Sequence, residues 1–180
     1  EAELATNAQK SQDPMIKYRP AVSGGNAKRG EGLFHAATRI RCHACHQVAH
    51  MGGGFVGPNL TEIGDRSTRE YLLESLIDPS AIIAEGYKTL GIATRDGELH
   101  SGILISDDDN GVTLGLPLGG TLTIVNDDVE HRITSTVSSM PPVGDIYSVE
   151  EIADLVAYLA GLKKSNQAKI HSSKIQKNRR

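Results

Sequence analysis

The spacing of apolar residues is helical near both ends of the chain and alternating in its middle. A first helix is predicted over about residues 26–37, where Gly30 and Phe34 lie four residues apart and therefore share a face. A second helix follows Ser67, which begins a Ser-x-x-Glu capping box, and Pro79 ends it. Both cysteines of the chain lie between these two predicted helices.

The middle of the chain, from Tyr87 to about Thr134, alternates between apolar and polar residues as strands do. Turn dipeptides separate the apolar runs at Asp96-Gly97, Asn110-Gly111 and Gly119-Gly120. Asp-Gly and Asn-Gly favour type I′ hairpins. The pattern predicts about five short antiparallel strands that form a small sheet or barrel.

Helical spacing returns after Ser148, which begins a second Ser-x-x-Glu capping box. One apolar stripe follows, made of Ile152, Leu155, Val156 and Leu159. Gly161 is a suitable C-terminal stop. The short side chains of its alanines allow another helix to pack closely on this last helix. Gly30 of the first helix is therefore a natural packing partner.

Charge divides the chain into an acidic body and a basic end. The net charge is −3, but residues 163–180 hold seven basic and no acidic residues, which leaves 12 of the 19 Lys and Arg against all 22 Asp and Glu elsewhere. We expect residues 163–180 to be a disordered basic tail and residues 1–25 a linker or disordered leader. No aromatic residue lies among the tail's charges, which argues against nucleic-acid binding.

The chain has no apolar run long enough to span a membrane. Its first ten residues also lack the apolar stretch of a signal peptide. If the protein is exported, we expect its signal to lie outside this sequence.

The two cysteines form a Cys-x-x-Cys-His motif, which is the attachment signature of c-type haem. In that chemistry Cys42 and Cys45 bind two vinyl groups at one porphyrin edge, and His46 is the proximal iron ligand. A structural zinc site is an alternative, with Cys42, Cys45 and some of His43, His46 and His50 as ligands. A thioredoxin-like redox pair is a further alternative, but it requires a βαβ context.

A sixth iron ligand is expected from one of three methionines. Met51 is too near His46 to reach the opposite haem face, and Met15 lies in the leader. Met140 precedes Pro141 and Pro142, which stiffen its loop, so Met140 is the preferred ligand. The alternatives are His50, His100 and His131.

These motifs resemble class I cytochrome c, in the same order along the chain. They are Gly30-x-x-x-Phe34, Cys42 to His46, Gly57-Pro58-Asn59-Leu60, Met140-Pro141 and Leu155-x-x-Tyr158-Leu159. The resemblance implies that the Pro58 carbonyl accepts a hydrogen bond from His46. It also implies that Leu60 and Tyr158 line the haem pocket, and that Gly30 and Phe34 pack on the final helix.

A closer resemblance, over roughly residues 26–162, is to a haem-binding domain family typical of planctomycetes and verrucomicrobia. Its motifs are Asp78-Pro79-Ser80-Ala81, Gly86-Tyr87, Asp96-Gly97, Gly102, Ser139-Met140-Pro141 and Glu150-Glu151-Ile152-Ala153-Asp154-Leu155. The resemblance implies a mainly α cytochrome c fold with a small antiparallel sheet or barrel inserted at about residues 87–134, an α+β architecture. The sequence departs from the family's pattern at Pro142 and in residues 143–147.

The function expected from these residues is electron transfer by a monohaem c-type cytochrome that is not itself an enzyme. We expect one covalent haem c, ligated by His46 and Met140, in a periplasmic or otherwise extracytoplasmic protein. The expected partner is a dehydrogenase or a downstream cytochrome or oxidase. The alternatives are a haem-based gas sensor with a displaceable sixth ligand and a binding module that holds no haem.

Overall fold

The computed structural model describes residues 13–49, 56–117 and 119–164. The described residues form five α-helices: α1 (Ala27–His35), α2 (Cys42–Cys45), α3 (Ile63–Arg66), α4 (Arg69–Ile77) and α5 (Val149–Gly161). They also form five strands: β1 (Thr89–Thr94), β2 (Leu99–Asp108), β3 (Gly111–Gly115), β4 (Thr121–Ile124) and β5 (Val129–Thr134). Short 3₁₀ helices cover Ile16–Val22 and Asn126–Asp128.

The chain divides into two compact units. The first contains the residues up to Ile40, Thr61–Asp78 and the residues from Pro142 onward. The second contains Arg41–Leu60 and Pro79–Pro141. Helices α1, α3, α4 and α5 belong to the first unit, whereas α2 and all five strands belong to the second.

Helix α5 is the centre of the first unit. The predicted capping box is present: the Ser148 hydroxyl accepts from the Glu151 backbone N–H, and the Glu151 carboxylate accepts from the Ser148 backbone N–H. The whole predicted apolar stripe of this helix is buried. Helices α1 and α4 and the first 3₁₀ helix all pack against α5.

Glycines bring the surrounding backbone very close to α5. A Cβ added at Gly30 would clash with the carbonyl oxygen of Asp154. One added at Gly25 would clash with the carbonyl oxygen of Ala153, and one at Gly64 with that of Ala160. The expected packing of Gly30 on the final helix is confirmed. The packing of Phe34 is confirmed as well, because its ring centroid lies 5.5 Å from that of Tyr158.

A buried carboxylate joins α1 to α5. Asp154 is 2% exposed, and both of its oxygens accept from the guanidinium of Arg29, at 2.6 Å from Nε and 3.0 Å from Nη2. The backbone N–H of Asn26 donates to the same carboxylate at 2.5 Å. A buried charge is tolerated when its hydrogen-bonding capacity is satisfied in this way.

The expectation of an unstructured leader is wrong for the described part of residues 1–25. Ile16–Val22 forms a 3₁₀ helix, with Tyr18 and Ala21 buried in the first unit. The guanidinium of Arg69 also donates to the carbonyl oxygens of Val22 and Gly24. Apolar burial and these hydrogen bonds offset the entropy of ordering the segment. Residues 1–12, and residues 165–180 of the expected tail, lie outside the described residues.

Two helix boundaries differ slightly from the expected ones. Helix α1 ends at His35 rather than near Ala37. Helix α4 has Thr68 as its N-cap, whose hydroxyl accepts from the Tyr71 N–H at 3.2 Å, so the capping box expected at Ser67 is not the one used. Ser and Thr are both favoured N-cap residues, so either of two adjacent positions can begin the helix.

The second unit is built on one antiparallel sheet with the strand order β4-β3-β2-β1-β5. One face carries a small core made of Ile92, Val112, Leu114 and Ile124. The five antiparallel strands expected in residues 87–134 are therefore confirmed. So is the α+β part of the expected class, whereas the mainly α description and the cytochrome c fold remain predictions.

The expected type I′ turn is wrong at both Asp96-Gly97 and Asn110-Gly111. A type I′ turn needs positive φ at both central residues, but at Asp96-Gly97 and Asn110-Gly111 only the glycine has it. In the first hairpin Gly97 N–H donates to Thr94 O at 2.9 Å and Thr94 N–H to Glu98 O at 2.9 Å. This is a three-residue loop that ends in a left-handed glycine.

No helix among the described residues is long and apolar enough to cross a membrane. The longest of them, α5, has 13 residues, whereas a membrane-spanning helix needs about 20.

We predict that Gly30→Ala destabilises the protein by about 1–3 kcal/mol, because the new methyl group would force α1 away from α5. Gly32→Ala in the same helix is the control, since a Cβ there would meet nothing within 4 Å. Its better helix propensity should stabilise the protein by up to about 1 kcal/mol. Denaturant unfolding measures both, and equal effects of the two substitutions would contradict the close-packing account.

We predict that the stability difference between wild type and Asp154→Asn depends on pH. The hydrogen bond from Arg29 holds the pKa of the Asp154 carboxyl below its usual range. A depressed folded-state pKa stabilises the protein above the unfolded-state pKa, which is about 3.9, and this stabilisation is lost as pH falls through the folded value. Unfolding free energies between pH 7 and pH 2 should show a constant difference above about pH 5. A difference that does not shrink in acid would contradict this role.

Candidate functional site

The two cysteines lie in the single helical turn α2 of the second unit. Cys42 and Cys45 are three residues apart and so lie on neighbouring positions of one helix face. The backbone N–H of His46 donates to Cys42 O at 2.9 Å and closes the turn. Neither cysteine forms a disulfide, and both are half-buried.

Both sulfur atoms are protonated at neutral pH. Burial raises the pKa of the Cys42 thiol, and the neighbouring Cys45 raises it further. Burial also raises the pKa of the Cys45 thiol, although the charge of Arg41 opposes that shift. The pair is therefore held as two thiols on one turn.

The ring of His46 is oriented by a backbone carbonyl. Its Nδ1 lies 2.9 Å from Pro58 O, which is the hydrogen bond that the cytochrome resemblance implies. A carbonyl oxygen can only accept, so Nδ1 carries the proton and Nε2 keeps its lone pair. Burial lowers the pKa of His46, against the opposing effect of the Pro58 carbonyl. The neutral imidazole is therefore available as a metal ligand through Nε2.

Gly57 allows this arrangement by leaving space beside the ring. A Cβ at this position would lie 2.8 Å from Cε1 and 2.9 Å from Nδ1 of His46. The Gly57 N–H also donates to Cys45 O at 3.1 Å, which ties the Gly-Pro segment to the cysteine turn. This contact of Gly57 was not predicted from the sequence, where its position immediately before Pro58 was the available signal.

Gln47 holds the residues that follow Pro58. Its carbonyl accepts from Leu60 N–H at 2.8 Å, and its side-chain oxygen accepts from the Asn59 amide at 3.1 Å. The half-buried Leu60 is therefore brought into the same unit as His46. Residues 50–55, with the candidate ligands His50 and Met51, lie outside the described residues.

Met140 lies in the second unit, as do His46, Pro58 and Leu60. It is half-buried, and its backbone N–H donates to the hydroxyl of Ser138 at 3.1 Å. The Ser138 N–H in turn donates to the Ser80 hydroxyl at 3.1 Å. These hydrogen bonds hold the residues that precede Met140, and the two prolines restrict the backbone of the residues that follow it.

Tyr158 belongs to the first unit rather than the second. Its hydroxyl lies 3.5 Å from His35 Nε2, and burial, assisted by the charge of Glu31, raises its pKa to about 12. Tyr158 is therefore a neutral phenol packed beside Phe34 and His35. Its expected place in a haem pocket stays a prediction.

The alternative iron ligands His100 and His131 lie on strands of the sheet. His100, on β2, lies 3.2 Å from a carboxylate oxygen of Glu98, and His131 is exposed on β5. Among the described residues there is no group of three or more His, Cys, Asp or Glu side chains that could hold a metal ion. Of the cysteines and histidines considered for zinc, His50 lies outside the described residues.

Comparison with known proteins gives only a weak structural similarity. No protein-family model matches the chain, and no curated protein matches it. Among solved structures, one similar chain comes from the crystal structure of SoxXA from P. pantotrophus, at 20% identity and a TM-score of 0.42 over 79% of this chain and 85% of that one. Similarity at this level carries no inference about function.

We predict that Gly57→Ala loosens the hydrogen bond between His46 and Pro58, because the added methyl group would press on the ring. Hydrogen–deuterium exchange of the His46 Nδ1 proton, followed by ¹⁵N NMR, should become about tenfold faster, as expected for a loss of about 1.4 kcal/mol. Gly91→Ala, whose added Cβ would meet nothing nearer than 3.4 Å, should leave the rate unchanged. Unchanged exchange in Gly57→Ala would contradict the contact.

Proposed function

We propose that this chain is a monohaem c-type cytochrome that transfers single electrons, and not an enzyme with its own substrate. The observation that carries the proposal is the His46 ring, whose Nδ1–H is held by Pro58 O at 2.9 Å. The other ring nitrogen, Nε2, is left as a neutral electron-pair donor. His46 also directly follows two thiols on one helical turn. This combination meets the requirements of covalent haem attachment and proximal ligation.

The donor set fits a covalently attached haem. Cys42 and Cys45 would hold the porphyrin through two thioether bonds, and His46 and Met140 would bind the iron. When bound, the haem supplies reversible one-electron chemistry at iron. The chain's own contribution is orientation: Pro58 fixes the imidazole, which also tunes the basicity of the ligand.

Met140 determines which kind of cytochrome this would be. A thioether sulfur opposite histidine raises the reduction potential relative to two histidines. A site of this kind suits an acceptor of electrons from a dehydrogenase, with a downstream cytochrome or oxidase as the next carrier. Attachment of haem c takes place outside the cytosol, so a periplasmic or otherwise extracytoplasmic location is part of the proposal.

The acidic body bears on how a redox partner would dock. Outside residues 163–180, acidic residues exceed basic ones by 22 to 12. Opposite charge on a partner accelerates encounter without requiring tight binding. We therefore propose a weak, salt-sensitive complex with a partner that presents a basic face.

We predict that the protein, expressed together with haem-attachment machinery, shows the sharp reduced bands of haem c and the weak far-red band of a methionine–ferric iron bond. Met140→Ala should lose the far-red band, because the thioether is gone, and keep the c-type bands, because both thioether links remain. Met15→Ala is the matched control, since Met15 lies beside the first 3₁₀ helix in the other unit. It should keep both features.

Three results would contradict the proposal. A colourless protein would exclude haem and favour the zinc alternative. A far-red band that survives in Met140→Ala would exclude Met140 as the ligand. Ready binding of carbon monoxide by the reduced wild-type protein would show a displaceable sixth ligand and favour a gas sensor over an electron carrier.

A further inference from the structure

The segment that leads to Met140 lies outside the helices and strands. Strand β5 ends at Thr134, and the next element, α5, begins at Val149. Backbone N–H and C=O groups of such a segment cannot use the regular hydrogen bonds of a helix or sheet, so they need other partners where water is partly excluded. Between Ser135 and Met140, serine hydroxyl groups are such partners.

Ser135 holds the beginning of this segment. Its backbone N–H donates to Thr89 O at 2.8 Å, which extends the pairing of β5 with β1 by one residue. Its hydroxyl accepts from the Val137 N–H at 3.0 Å and donates to Val137 O at 3.1 Å. A serine side chain bonded to the backbone two residues on makes a tight turn. The chain therefore leaves the sheet in one defined conformation.

Ser80 holds the middle of the segment from elsewhere in the sequence. Its hydroxyl accepts from the Ser138 N–H at 3.1 Å, although the two residues are 58 positions apart. Both serines are half-buried and belong to the second unit, as does Met140. Ser80 directly follows Pro79, which is buried and whose ring fixes its own φ angle. The acceptor is therefore carried by a restricted piece of backbone.

The last hydrogen bond passes this restraint on to Met140. The Ser138 hydroxyl accepts from the Met140 N–H at 3.1 Å. This bond joins residues two apart, so it sets the local shape of the chain but not its place in the fold. The bond from Ser138 to Ser80 is long-range, so it determines where that local turn lies. Ser80 therefore has more influence on the position of Met140 than the nearer Ser138.

We propose that Ser80 is a positioning residue for Met140, and that its hydroxyl group keeps the sixth iron position closed to external ligands. The inference rests on the proposed function and names the residue on which its ligand set depends. A thioether sulfur is a weak electron-pair donor. Its bond to iron therefore persists only if little ordering of the chain is needed when it forms. The hydroxyl of Ser80 does part of that ordering in advance.

Ser80 would in this way separate an electron carrier from a gas-binding protein. Removal of its hydroxyl leaves the Ser138 N–H without its acceptor and weakens the ordered state of the segment. The loss of one such hydrogen bond changes an equilibrium constant by about tenfold. Carbon monoxide binds only to molecules whose sixth position is open, so its binding rate rises in proportion to their fraction.

The test compares wild type with Ser80→Ala in the haem-loaded protein. The Ser138 amide should exchange with deuterium about tenfold faster, because its acceptor is gone. Carbon monoxide should bind the reduced protein faster by a similar factor of about ten, because the open fraction rises. Ser80→Thr keeps the hydroxyl group and should keep both wild-type rates.

Two controls separate positioning from general disturbance. Ser139→Ala changes an exposed neighbour whose hydroxyl takes part in none of the hydrogen bonds described for this segment. Gly30→Ala should lower the stability of the protein from the first unit, without touching the Met140 segment. Both should bind carbon monoxide at the wild-type rate. Equal acceleration in Gly30→Ala and Ser80→Ala would overturn the inference, because any loss of stability would then open the site.

Unchanged carbon monoxide binding in Ser80→Ala, with intact c-type bands, would overturn the inference and leave the proposed function standing. A wild-type protein without c-type bands, or one that binds carbon monoxide readily, would overturn both. If Ser80→Ala does not fold, Ser138→Ala removes the next hydroxyl of the same series. It should speed carbon monoxide binding as well, and an unchanged rate would overturn the inference.

Discussion

The close approach of backbone to helix α5 is the constraint on which the first unit depends. At Gly25, Gly30 and Gly64 the chain lies so near α5 that no side chain fits. Such contact leaves the polar groups between the helices without water, so they must satisfy one another. Asp154 meets this requirement, because Arg29 and Asn26 donate to both of its oxygens.

Around His46 in the second unit, a glycine again allows close approach, and a neighbouring polar group again satisfies the buried one. Gly57 leaves room for the imidazole, and the adjacent Pro58 supplies the acceptor that selects one tautomer. One short segment thus sets the orientation of the ring, its protonation and the nitrogen left for a ligand. The half-buried cysteines on the preceding turn remain thiols because burial disfavours the thiolates.

Local patterns predicted the elements well where a single segment carried the signal. The alternating run gave five strands in the expected interval, and the Ser148 capping box was placed correctly. Errors arose where neighbours were equally suitable, as with Ser67 and Thr68, or where tertiary contact overrode composition. The polar, proline-containing leader was expected to be unstructured, yet burial of Tyr18 and Ala21 orders part of it.

The sequence by itself determined the type and order of α1, α4, α5 and the five strands, and the positions of Cys42, Cys45 and His46, because propensity, turn chemistry and motif spacing act within a few residues. Only the tertiary structure decided that Arg29 would neutralise Asp154 and that the buried hydroxyl of Thr89 would have no hydrogen-bond partner among the described residues. The first depends on residues 125 positions apart. The second depends on the pairing of β1 with its neighbours in the sheet. Contacts of this range follow from packing, which no local pattern encodes.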